Sequence, residues 1–127
     1  MADLTTTDGS TVHFDPGAVT AVADHDADTG DAVTTVYGLS AGLYRIGEAV
    51  DGFLTRIGVA ASFVRLTRLD GTFIWANVKA VQTVRAPLVD EYGPQAQAVV
   101  AIGSLTQAVT QTPDEVKQIV NAQGGKL

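Results

Sequence analysis

Apolar and polar positions alternate over short runs in this chain, and the runs recur in the same order. Leu4 to Thr7 and Thr11 to Phe14 are β-prone segments around Asp8-Gly9, a tight hairpin signal. A third strand is expected over Ala18 to Ala23, then a polar loop over Asp24 to Asp31. Two short strands follow, Val33 to Tyr37 and Leu43 to Ile46, with Gly38 and Gly42 between them. The period then changes from two to nearly four. Val50, Phe53, Leu54 and Ile57 form one helical stripe that predicts a helix over about 47–57, stopped by Gly58. Gly52 weakens it.

The second half repeats this grammar. Leu66 to Leu69 and Phe73 to Ala76 flank Asp70-Gly71, and Lys79 to Arg85 is the third strand. Ala86 to Pro94 reads as a polar loop, and Ala98 to Ile102 with Thr106 to Thr110 as the later pair. Thr112-Pro113-Asp114-Glu115 opens a helix over about 113–122, with Thr112 as cap, Pro113 at the first helical position and Glu115 completing a capping box.

The likeness extends to residue identity. Moved by 62 positions, Leu4 through Val22 falls on Leu66 through Val84 with seven identities among nineteen positions. Moved by 66, Leu39 falls on Leu105, Phe53 on Ile119 and Gly58 on Gly124. The pattern therefore divides the chain into a first unit, 1–62, and a second, 63–127. Each is a β-hairpin, a strand, a second hairpin and a helix, an α+β, β-rich class. Units of about 60 residues bury too little surface to be robust alone. The short apolar connection Gly58 to Ser62 predicts that they pack together, about a pseudo-two-fold axis.

Composition narrows the partners. The 127 residues include no cysteine, so disulfides and thiol chemistry are excluded. The net charge of -6 argues against nucleic acid or an anionic membrane as the main partner. No apolar run is long enough to span a bilayer, and the first residues lack the pattern of a secretory signal. Residues 1–62 carry nine acids and two bases, a net of -7, whereas residues 63–127 carry a net of +1. Such asymmetry favours contacts with copies of the chain or with other proteins.

Leu66-Thr67-Arg68-Leu69-Asp70-Gly71-Thr72, followed by Trp75-Ala76-Asn77, Val81 and Val84, resembles the FlbD-like swarming-motility and flagellar family. The resemblance implies a small, non-enzymatic β-rich unit. The chain departs from that family in being a tandem fusion and in lacking a lysine-rich late hairpin.

Few constellations carry chemistry. Asp24, Asp26, Asp28 and Asp31 make a candidate calcium loop, because hard cations take several oxygens. The EF-hand spacing is incomplete: Thr29 stands in the glycine position and Thr35 where a bidentate Glu belongs. The plain alternative is a solvated loop tip. His13 and His25 lack metal-ligand spacing, and His13 aligns with Trp75, which predicts packing on a strand face. No nucleophile elbow surrounds Ser10, Ser40, Ser62 or Ser104, and no glycine-rich phosphate loop occurs. Catalytic residues, resident metals and cofactors are therefore not expected.

Arg65, Arg68, Lys79 and Arg85, with Phe73 and Trp75, are the interface candidates, since Arg and Trp are enriched at binding hot spots. Core packing of Trp75 is the alternative. The expectation is a structural assembly protein, most concretely a capsid decoration (cement) protein of a tailed phage. It would contact a major capsid protein or its own copies, reside in the virion and be made in the host cytoplasm. The alternative is a cytoplasmic FlbD-like regulatory or scaffolding adaptor.

Overall fold

The computed structural model describes residues 2–24, 34–39 and 42–127. Among these residues, ten strands and two α-helices follow one another as β1 (Ala2–Thr5), β2 (Thr11–Phe14), β3 (Ala21–Ala23), β4 (Thr34–Leu39), β5 (Gly42–Ile46), α1 (Val50–Arg56), β6 (Phe63–Thr67), β7 (Phe73–Asn77), β8 (Val81–Arg85), β9 (Ala98–Ile102), β10 (Leu105–Val109) and α2 (Pro113–Ala122). The fold is α+β and rich in strand. Hairpin, strand, hairpin and helix succeed one another twice.

The same local bonds close both halves. Thr6 N–H donates to Ser10 O at 2.8 Å, and Arg68 N–H to Thr72 O at 2.8 Å. Gly9 and Gly71 sit at φ 92° and 88°, a region only glycine enters freely, so Asp-Gly is required at both turns. Each helix ends on a matching wrap: Val59 N–H donates to Leu54 O at 3.1 Å, and Gly125 N–H to Val120 O at 2.9 Å.

Strand pairing crosses the two halves. The middle layer is a five-stranded sheet in the order β5-β4-β3-β7-β6, with β7 pairing antiparallel to β3. It draws three strands from before residue 62 and two from after it. Strands β8, β9 and β10 form a separate sheet, and β1–β2 a two-stranded one. Among the described residues, the first hairpin therefore joins no strand of the second half, whereas the second hairpin completes the sheet of the first.

Alternation along the middle strands loads both faces of that sheet. Ala21, Ala23, Val64, Leu66, Ile74 and Ala76 face a core shared with Val100, Ile102, Val109, Val116 and Val120, under the β8–β10 sheet and α2. Val22, Val36, Ile46 and Phe63 face a second core with Leu4, Phe14, Val50, Phe53 and Leu54, under α1 and the first hairpin. Phe14 and Phe53 stack there with centroids 6.1 Å apart.

Several elements differ from the sequence expectation: β1 is Ala2–Thr5, β4 runs on through Gly38 to Leu39, β8 starts at Val81 rather than Lys79, and two further differences have a local cause. The third strand of the first half is split: Pro16–Ala18 is a single 3-10 turn, and only Ala21–Ala23 is strand. Pro16 fixes φ at the first helical position, and the Asp15 carboxylate accepts the Gly17 N–H at 2.9 Å, which favours a turn over extension. The first helix begins at Val50 rather than near 47, because Ala49 is extended (φ -66°, ψ 150°) and serves as an N-cap without a side-chain bond. The second helix starts where the capping box places it, with Thr112 Oγ1 accepting Glu115 N–H at 3.2 Å and Glu115 Oε1 accepting Thr112 N–H at 3.0 Å.

Candidate functional site

The β6–β7 register builds the most chemically distinctive surface. Arg65 lies opposite Trp75, and Thr67 opposite Phe73. With Val64, Leu66, Ile74 and Ala76 committed to the core, period-two alternation turns Arg65, Phe73 and Trp75 to the other face. There the Arg65 guanidinium lies 4.4 Å from the Phe73 ring centroid. Phe73 meets Trp75 edge to face, with centroids 6.1 Å apart at 69°. Such a cation–π contact at an exposed site is worth about 0.5–1 kcal/mol and preorganises the guanidinium without neutralising it.

Two clefts meet at Trp75. A cleft of about 620 Å³ runs between α1 and α2 along the outer side of β6, walled by Leu54, Phe63, Arg65, Trp75, Ile119 and Ala122. A second, about 350 Å³, carries Asp24, Glu48 and Asp51 beside the same indole. The Trp75 ring is half-buried, with its inner side against the core under α1 and its outer part lining both clefts. It is at once a packing residue and a surface residue.

The six interface candidates do not gather into one patch. Arg65, Phe73 and Trp75 come together. Arg68 sits at the turn of the same hairpin, where its Nε donates to Thr72 Oγ1 at 2.7 Å. Lys79 follows β7 and so lies at the opposite end of the antiparallel pair, its N–H bonded to Asn77 Oδ1 at 3.0 Å. Arg85 ends β8, which belongs to the other sheet, and it is held by Glu91. Proximity in sequence placed these four bases together; strand reversal and the exit of β8 separate them.

Of the acidic loop, Asp24 is described: its carboxylate accepts the Phe73 N–H at 3.1 Å, tying the end of β3 to β7. Asp26, Asp28 and Asp31, with His25, lie outside the described residues. Among the described residues no three His, Asp or Glu side chains cluster as metal ligands. His13 is exposed on β2 opposite Asp3, not packed, because the first hairpin forms an outer two-stranded sheet with one face open.

A second surface was hidden in the segment read as a polar loop. Leu88 is 70% exposed, Val89 93% and Tyr92 40%. The tip is nevertheless fixed. Arg85 Nη1 and Nη2 donate to the two Glu91 oxygens at 2.8 and 2.7 Å, and Glu91 Oε1 also accepts the Leu88 N–H at 2.8 Å. The Arg85 bonds, then that of Leu88, draw the Glu91 carboxyl from 4.5 down to about 2. A Leu-Val pair beside Pro87, with no alternating partner, was the available sequence signal.

Arg56 is another residue whose role only the fold discloses. It donates to Glu48 at 2.7 and 2.9 Å and to Asp3 O at 2.8 Å, which staples α1 to β1. No helix among the described residues is long and apolar enough to cross a membrane.

Comparison of the chain with known protein families, with curated proteins and with solved structures returns no match. The geometry of these two surfaces is therefore what speaks to function.

Proposed function

We propose that the protein is a non-enzymatic structural subunit, most concretely a virion component that decorates and cements the head of a tailed phage. The observation that carries this reading is the presence of two separate, preordered surface features on one small body. One is the Arg65–Phe73–Trp75 patch. The other is the Leu88–Val89 tip, held out by the Arg85–Glu91 pair. A solvent-facing valine at 93% exposure on a fixed turn gains nothing for the free chain. Burial of Val89 and Leu88 in a neighbour gains up to about 1.5–3 kcal/mol per side chain. A subunit touching neighbours at two points can bridge them, which is the physical task of a cement protein. The charge asymmetry between the halves supports the same reading, since it favours one orientation in a repeating surface.

The test is co-sedimentation with expanded tailed-phage heads purified without the protein, together with its mass by sedimentation equilibrium. Saturable binding at a fixed stoichiometry per capsomer is expected. A monomer that binds neither heads nor itself overturns the proposal.

A further inference from the structure

Among the described residues, the outer edge of β6 has an unpaired backbone position at Arg65, which lines the larger cleft. Two residues on, Thr67 directs both its main-chain groups away from β7: its N–H donates to Gln111 Oε1 at 3.0 Å and its C=O accepts the Thr110 N–H at 3.0 Å. Arg68 N–H, one position further, turns back to Thr72 O on the β7 side. Main-chain direction alternates along an antiparallel strand. Arg65, in phase with Thr67, therefore sends its N–H and C=O outward, and no described residue pairs with them. The cleft of about 620 Å³ lies over that position, between α1 and α2.

We infer that this cleft is a strand-addition site for one extended segment of a partner protein, carrying an acidic residue between two apolar ones. The segment pairs with Arg65 through its own N–H and C=O, as a peptide added to a sheet edge does. The residue opposite Arg65 points to the same face as the guanidinium, so an aspartate or glutamate there meets a fixed cation beside the Phe73 ring. Its two neighbours point to the other face, toward Val64, Ile119 and Ala122, where small apolar side chains fit. Asp51 on the α1 wall disfavours a second acid further along. Residues of α1 and α2 wall the cleft on its two sides. Pairing of two β6 edges about a two-fold at Arg65 would set one guanidinium against another, a like-charge pair that destabilises the ladder.

The inference rests on the β6 edge alone and holds whatever assembly the protein enters. Its test uses the ¹⁵N-labelled full chain and three blocked pentapeptides: Thr-Val-Glu-Val-Thr, the same with Lys at the centre, and the same with Pro. With the glutamate peptide, the Arg65 amide should shift, and its hydrogen exchange should slow roughly tenfold at about ten times Kd. The lysine peptide should bind up to about fivefold more weakly, as befits an exposed ion pair. The proline peptide, lacking the central N–H, should leave the Arg65 amide unprotected. Arg65→Glu should reverse the Glu-over-Lys preference, and Ala122→Trp should block both peptides while the spectrum stays folded. An Arg65 amide unmoved by the glutamate peptide, or equal protection by the proline peptide, overturns the inference. So does a concentration-dependent dimer that Ala122→Trp dissolves, since a second copy would then be the occupant. Failure to bind phage heads bears on the assembly reading and leaves this one standing.

Discussion

Asp15 and Asn77, 62 positions apart, cap the turn after their strands with the same bond: Asp15 Oδ1 accepts Gly17 N–H at 2.9 Å, and Asn77 Oδ1 accepts Lys79 N–H at 3.0 Å. The pair shows why the two halves diverge at this position. Asp15 is exposed, and a carboxylate there needs only to accept. Asn77 is buried, and its Nδ2 also donates to Val19 O at 3.1 Å across the halves. An amide can do both; a carboxylate cannot. Asn77→Asp should therefore cost about 2–3 kcal/mol, the penalty of an unsatisfied buried carbonyl and a buried charge. Asp15→Asn should stay within about 0.5 kcal/mol of wild type. Urea midpoints at unchanged slope measure both.

Gly38 and Gly52 make opposite predictions for one substitution. Gly38 sits at φ 102°, and a Cβ there would lie 2.6 Å from Ala18 O and 2.7 Å from Thr20 N, both backbone atoms that cannot swing aside. Gly38→Ala should destabilise by at least about 3 kcal/mol, through strain and overpacking together. Gly52 lies in α1 with nothing within 4 Å of its Cβ position. Gly52→Ala should stabilise by about 0.5–1 kcal/mol, because it restricts the unfolded chain and suits the helix. Thermal melts of the two variants should move in opposite directions.

The second helix carries an acid-sensitive start. The Thr112 N–H and then its hydroxyl hold the Glu115 carboxyl below its ordinary value of 4.5. A carboxyl more acidic when folded contributes stability above the unfolded value and loses it as pH falls through the folded one. The stability gap between wild type and Glu115→Gln should thus be widest near neutral pH and begin to close as pH drops below the ordinary value of 4.5. Thr112→Ala, which removes the cap itself, should cost about 1 kcal/mol at neutral pH. Urea unfolding across a pH series reads both.

Much of this was legible in the sequence because it is local. The Asp-Gly turns, the Thr112–Glu115 box and the stripe from Val50 to Ile57 each follow from spacing within a few residues, and the repeat made each half a check on the other. What was not legible depends on distant pairing. Nothing in the run around Phe73 says that β7 will lie against β3 and leave β6 as an edge. That choice left the Arg65 strand on an open edge and sent Arg85 to another sheet. The apolar tip is not legible for a different reason: Leu88 and Val89 sit among Pro, Asp, Glu and Gly, a composition that marks a loop.

That tip gives the last prediction. Leu88 and Val89 are exposed, so replacing both with serine should change unfolding free energy by no more than about 0.5 kcal/mol. If they are contact residues, the double variant should still lose binding to phage heads at concentrations that saturate wild type. Glu91→Gln separates the tip's position from its composition. The carboxyl is held at about 2 by Arg85 and Leu88 N–H, so its contribution is complete above 4.5 and is lost only as pH falls through about 2. Glu91→Gln removes the bidentate pair with Arg85 at every pH. Leu88 amide exchange should speed up in this variant, and head binding should weaken although both apolar side chains remain. Carbon-detected titration of Glu91 should give a midpoint near 2 in wild type. A midpoint near the ordinary value of 4.5 would mean that the Arg85 clamp does not hold the tip in solution. Wild-type head binding by both variants would remove the tip from the interface and leave the Arg65 patch as the surface that makes contact.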